Sequence, residues 1–321
     1  MPIRADDKIR MILGTKFMRG AGLLLCMLVA GLAAATPTQA ASPFHFSTGN
    51  PDGKIATASR PGPASGTNQE TESADDFALS AAETVIDHAT FIGLIPGKVS
   101  VSDITQVRVE IYRVFPKDSD TSRTPQVPTR ANSPSDVEFD DRDSATGALT
   151  FTAEVLDSDF SALNSVDTGI HPSPGQHTGG DGAVRGQEVF FDVTFLKPFK
   201  LPFDHYFFIP QVLLSDPDEH FLWLSAPKPI VPNPGTPIFP DLQSWIRNDE
   251  LAPDWLRIGT DIVGSGAFNG TFSLDGTARV QAPALGHLGL AVLAVLLVGG
   301  VPIVLRRRRG MHRPPDLQGD H

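Results

Sequence analysis

The run 288–305 is apolar apart from its glycines and one proline, and Arg306, Arg307, Arg308 and Arg309 follow it without a break. About 18 residues at about 1.5 Å each reach about 27 Å, close to the hydrocarbon thickness of a bilayer. A helix that is apolar on every face and fenced by charge on one side has no place in a soluble core. The arginine block resists translocation and is expected to stop in the cytoplasm. Everything before it is then delivered outside, and whatever domain precedes the run has to fold as an exported one.

The N-terminus mirrors this arrangement. Arg4, Lys8, Arg10, Lys16 and Arg19 precede an apolar run over 21–35, and Thr38-Gln39-Ala40 offers small residues for cleavage. That is the pattern of a secretory signal over 1–40, removed in the mature protein, with Met11 or Met18 as alternative starts. A retained N-terminal anchor is the competing reading, and the Pro37 break followed by Ala40-Ala41 argues against it. Cys26, the one cysteine, lies inside the apolar run behind Leu25, where a lipoprotein site wants a small residue. The mature chain is therefore expected to contain no disulfide and to rely on its core, for which about 240 residues are enough.

Ahead of the C-terminal run stands Ala282-Pro283-Ala284-Leu285-Gly286-His287-Leu288-Gly289-Leu290. The order motif, apolar helix, basic block resembles the C-terminal sorting signals of Gram-negative bacteria known as CTERM, most closely the type named for Ile-Pro-Thr-Leu. Pro283, Leu285, Gly289 and Leu290 fall on that type's proline, leucine and Gly-Leu pair. Ala282 and Ala284 replace its isoleucine and threonine, Leu288 stands where tryptophan is usual, and a tail of twelve residues, 310–321, follows Arg309. The resemblance covers about a tenth of the chain. It implies an exosortase-like processing protease as partner and a cell-envelope or extracellular destination, and nothing about activity. An ordinary single-pass tail anchor is the alternative.

The whole chain carries a formal charge of −11. Each terminal segment, 1–40 and 282–321, holds five basic and two acidic side chains, +3 apiece, which leaves −17 for residues 41–281. Such a surface repels nucleic acid and anionic headgroups and suits divalent cations, neutral glycans or basic partners. High solubility is the simpler explanation of the same charge.

Abundant glycine and proline, with no heptads and no long amphipathic helix, predict an all-β domain over 73–281. Residues 41–72 are polar and read as a flexible lead-in. A first strand is expected over 84–94. In 106–115, Val107, Val109 and Ile111 alternate with Arg108, Glu110 and Tyr112, a period of two. Leu149, Phe151, Ala153 and Val155 repeat the pattern, as do Val189, Phe191, Val193 and Phe195. Two polar excursions, 117–142 and 158–185, separate these strands. Leu201-Pro202-Phe203 reads as a turn into 206–214, which is apolar on both faces and so belongs at the centre of the fold. Strands at 221–224, 244–246 and 254–257 follow, and 268–280 reads as a hairpin around Asn269-Gly270. Eight or so antiparallel strands predict a β-sandwich of jelly-roll type. The opening Ala74-Asp75-Asp76-Phe77, with the strands carrying Ala89-Thr90-Phe91 and Val109-Glu110-Ile111-Tyr112, weakly resembles exported sandwich domains that precede CTERM signals.

Chemistry is harder to locate. Asp75 and Asp76 are candidate calcium ligands, since hard cations want converging carboxylates. Asp136, Glu138, Asp140, Asp141 and Asp143 make the densest acidic patch, and Asp216, Asp218 and Glu219 another. None has calcium-loop spacing, and solvated loop carboxylates are the plainer account. His45, His88, His171, His177, His205 and His220 are scattered without zinc-ligand spacing; His205 and His220 read as surface residues. Gly264-Ser265-Gly266 is a fragment of a nucleophile elbow without α/β context. Trp223, Trp245 and Trp255, with Tyr112 and Tyr206, could stack on sugar rings or could be core. No catalytic residue stands out, which favours a non-enzymatic binding or structural module over a secreted enzyme acting on polysaccharide.

Overall fold

The computed structural model describes residues 40–62, 70–97, 99–170, 177–228, 240–264 and 266–280. One compact unit spans Ala41–Val280. The expected signal segment, the sorting motif at Pro283, Leu285, Gly289 and Leu290, the apolar run and the four arginines all lie outside the described residues. Among the described residues no helix is long and apolar enough to cross a membrane.

The unit is built from strands, as the period-two patterning predicts. In chain order they are β1 (Ala40–Ser47), β2 (Ile55–Ala58), β3 (Thr71–Pro96), β4 (Ile104–Arg113), β5 (Asp140–Asp143), β6 (Leu149–Ala162), β7 (Asn164–Val166), β8 (Val184–Leu214), β9 (Leu222–Ala226), β10 (Trp245–Asn248), β11 (Leu256–Arg257), β12 (Asn269–Gly270) and β13 (Phe272–Val280). Hydrogen bonds link all of them into one branched, open sheet along the path β5-β4-β8-β3-β9-β2-β7, with β6, β13, β10 and β12 as branches. The sheet is mixed rather than purely antiparallel, because β2 runs parallel to β7.

Two very long strands are the frame. β3 and β8 pair antiparallel from Asp75↔Phe208 to Pro96↔Gly186, with register shifts between Leu79 and Glu83 and between Ile86 and His88. At the first shift the residues 201–203, expected to be a turn, stay in strand β8. The half 206–214 pairs with β4, and the half 184–195 pairs with β6. Phe91 and Phe191 face each other across the ladder with their rings stacked at 4.5 Å. Cross-strand aromatic pairs of this kind hold register as well as burying area.

Both faces of 206–214 are covered, as the unbroken apolar run predicts. Tyr206, Phe208 and Val212 enter the main core with Val107, Val109 and Ile111 of β4. Phe207 and Ile209 face the other way, into a smaller core with Tyr112, Trp245 and Trp255. The face of β4 that carries Arg108, Glu110 and Tyr112 is therefore roofed by β10 and the chain around Trp255 rather than left to water.

Several local expectations are corrected. The lead-in supplies β1 and β2, and its sparse apolar residues, Phe46 and Ile55, are buried. The hairpin at Asn269-Gly270 does not form: β12 pairs with β9 while β13 pairs with β3. Neither residue has the positive φ that a tight hairpin turn would need. Gly270 serves close approach instead, since a Cβ there would lie 2.4 Å from the Trp223 ring. The 117–142 excursion is held by charge. Arg123 Nη2 donates to Asp136 at 3.1 Å and to Asp254 at 2.7 Å, and Arg130 closes on Asp136.

Candidate functional site

The alternation that buries Val109 on one face of β4 turns Glu110 to the opposite face, where it is 2% exposed. Two strands away, Glu72 of β3 stands in direct register with Arg247 of β10. Arg247 grips Glu72 with both arms of its fork: Nε donates to Oε2, and Nη2 donates to Oε1 at 2.8 Å. The same Nη2 donates to Tyr112 Oη at 2.7 Å, and Tyr112 passes a hydrogen bond on to Glu72 at 3.0 Å. The guanidinium lies 4.3 Å over the Trp255 ring. Burial alone would push the Arg247 guanidinium down, and the charge of Glu72 holds it up. Burial pushes the Tyr112 hydroxyl upward, so it stays a donor.

Glu110 joins this group from β4. Its Oε1 takes an ion pair from Arg108 Nη2 at 2.7 Å, while Oε2 has no donor among the protein groups. Burial, then the neighbouring charge of Glu72, raises the Glu110 carboxyl well above the usual range. Of the two acids, Glu110 is the one that burial and its neighbour drive toward the protonated form, against the pull of Arg108. Arg108 also reaches Glu138 at 3.1 Å and Glu70 and Asp141 at 3.5 Å, capping the group at the surface. Burial raises Glu70 and Glu138 as well.

This constellation does not fit the geometry of glycoside hydrolysis. Such a pair flanks a cleft open to a sugar, whereas Glu72 and Glu110 are 5% and 2% exposed and both oxygens of Glu72 are taken by Arg247 and Tyr112. With both forks of Arg247 engaged, the group can join β3, β4 and β10 and hold a proton.

The sequence-predicted acids are placed differently from one another. Asp75 and Asp76 are buried at the start of β3. Asp76 accepts from the Leu242 amide at 2.8 Å and lies 2.6 Å from His205 Nε2; Asp75 accepts from Ser244 Oγ at 2.9 Å. They tie β3 to the segment leading into β10. Burial raises both carboxyls; the charge of Asp76 adds to the effect on Asp75, and the His205 hydrogen bond opposes it on Asp76. His205, expected at the surface, is buried to serve this bond. His220 pairs with Asp167 at 2.7 Å. Within the 136–143 patch, Asp136 pairs with Arg130, Asp140 with Arg142, Glu138 and Asp141 share Arg108, and Asp143 accepts from Gln106. Among the described residues no group of three or more His, Asp or Glu side chains is arranged to hold a metal ion. Trp223, Trp245 and Trp255 are all buried, with Tyr112 and Tyr206, so these five form no sugar-stacking platform.

Glu72, Glu110 and Arg247 are the residues that sequence reasoning missed. The sequence carried no signal for them: in the period-two pattern Glu110 lies on the polar face of β4 with Arg108 and Tyr112.

Compared with protein-family models, with curated proteins and with solved structures, the chain has no match.

Proposed function

We propose that this chain is an exported cell-envelope or extracellular-matrix protein. Its β unit is a non-enzymatic binding or structural module of sandwich type, delivered by the N-terminal signal and sorted through the C-terminal one. The observation that carries the reading is the position of the compact unit Ala41–Val280 between two apolar segments of opposite design. Its charge supports the same reading: −17 over 41–281 keeps such a module soluble and away from nucleic acid and anionic lipid. The membrane and an exosortase-like protease are the proposed partners, glycans the proposed ligand class, and no cofactor is required; calcium at Asp75 and Asp76 would be a structural brace.

The test is expression of the full chain in a Gram-negative host that has such a protease. Mass spectrometry should find a mature N-terminus at Ala41. Replacing Pro283 and Leu285 should leave insertion intact and cause a full-length inner-membrane form to accumulate. If wild type and this variant give the same full-length band, the sorting reading is wrong and a plain tail anchor remains. Turnover of any polysaccharide by the purified protein would overturn the non-enzymatic reading in favour of a secreted β-sandwich enzyme.

A further inference from the structure

Lys228 lies two residues beyond Ala226 of β9, which pairs directly with Asn269 of β12. Its ammonium is surrounded by oxygen. Nζ stands 2.6 Å from Asp241 Oδ1 and 3.2 Å from Asn269 Oδ1, and it also contacts the Leu242 carbonyl. The Asn269 side chain is fully buried, and its Nδ2 donates to Asp241 Oδ2 at 3.4 Å and to the Pro227 carbonyl at 3.4 Å. One carboxylate thus touches both the amine and the amide nitrogen, while the amine faces the amide. The amide carbon is one bond, about 1.2 Å, beyond the oxygen that Nζ already contacts.

We propose that Lys228 and Asn269 form an intramolecular isopeptide bond, with Asp241 as the proton carrier. A primary amine, a buried carboxamide and a bridging carboxylate are the groups that amide exchange needs, and here the amine and carboxylate are mostly covered. The ammonium of Lys228 gives one proton to Asp241, and the freed lone pair attacks Asn269 Cγ. Asp241 passes that proton to Nδ2 and then takes a second from Nζ in the tetrahedral adduct. As the Cγ–Nδ2 bond breaks, the second proton follows the first, so the nitrogen leaves as ammonium, the Nζ–Cγ amide remains, and no oxidant or cofactor takes part. The bond would weld the end of β9 to β12 in a unit that has no cysteine for a disulfide.

Intact-mass and peptide-mapping mass spectrometry on the full chain, purified folded after export, tests this. Wild type should be lighter than its own sequence by one ammonia, and mapping should recover a branched peptide joining Lys228 to Asn269. Ammonia is also lost when an Asn-Gly pair closes to a succinimide, and Asn269-Gly270 is such a pair. Lys228→Arg separates the two, because it keeps the charge and removes the nucleophile. The mass deficit should vanish in Lys228→Arg, and in Asp241→Asn it should vanish or appear only slowly. A wild-type mass equal to the unmodified sequence, a deficit that persists in Lys228→Arg, or a map with Lys228 unlinked would each overturn the proposal.

Discussion

Replacing Arg247 by methionine should be among the most damaging single changes available to this protein. Methionine keeps the stem against Trp255 and removes only the charged fork. What remains is Glu72, 5% exposed, without its two-armed partner and within the electrostatic reach of Glu110. Tyr112 loses one hydrogen bond and keeps the other. Removing one member of a buried ion pair costs about 3–5 kcal/mol, because the surviving charge is left desolvated. In a unit of this size that corresponds to a fall in melting temperature on the order of 10 °C. The double variant Glu72→Gln/Arg247→Met has no stranded charge and should recover about half of the loss or more, since a neutral replacement of a whole buried pair is often close to neutral. Urea denaturation of wild type, both singles and the double closes the cycle. A loss under about 1 kcal/mol for Arg247→Met, or a double variant as weak as the sum of the singles, would show that the pair behaves like a surface ion pair and refute the reasoning.

The same group makes stability depend on pH. Burial, then Glu72, raises the Glu110 carboxyl, so its contribution is fully present below the ordinary glutamate range near about 4.3 and is lost as pH rises through its folded value. Glu110→Gln should remove that loss and flatten urea-derived stability between about pH 4 and about pH 8; an unchanged slope would place the neutral acid elsewhere. Gly93→Ala should destabilise by about 1–3 kcal/mol, since a Cβ would lie 2.0 Å from the Phe221 ring and 2.9 Å from the Leu222 carbonyl. Thermal melting checks this, and a variant as stable as wild type would mean that Phe221 can move aside at no cost.

What could be read from the sequence was the local, periodic part. The alternation at Val107, Val109 and Ile111 marked a buried face, and the continuous run 206–214 marked a strand covered on both sides. Failures came wherever a distant partner decided the outcome. Asn269-Gly270 is a strong hairpin signal, but Ala226 and Ser225 of β9 claim those two residues, and β3 claims the neighbouring strand β13. Phe46 and Ile55 were too sparse to announce strands, yet each found a core built by other segments. The ion-pair group was the least legible. Glu72 and Arg247 are 175 residues apart, and no local pattern distinguishes a buried glutamate on β4 from a solvated one. The same holds for Lys228 and Asn269, which meet only because β9 and β12 pair.

The long ladder between β3 and β8 also sets an order of events. Asp76 and His205, which meet within it, are 129 residues apart. A chain threaded through a membrane from its N-terminus presents β3 early, but the strand that completes it emerges only once residue 214 has passed. Closing so large a loop costs entropy before any contact repays it, and topologies ruled by distant pairings fold slowly. Until then β3 lacks β8, and its other partners β9, β10 and β13 emerge later still. On the proposed export route, the frame that stabilises the finished protein therefore leaves it for a time with an unpaired template of 26 residues. That interval is when holding chaperones outside the membrane would matter most, and when crowding by sister chains would be most dangerous.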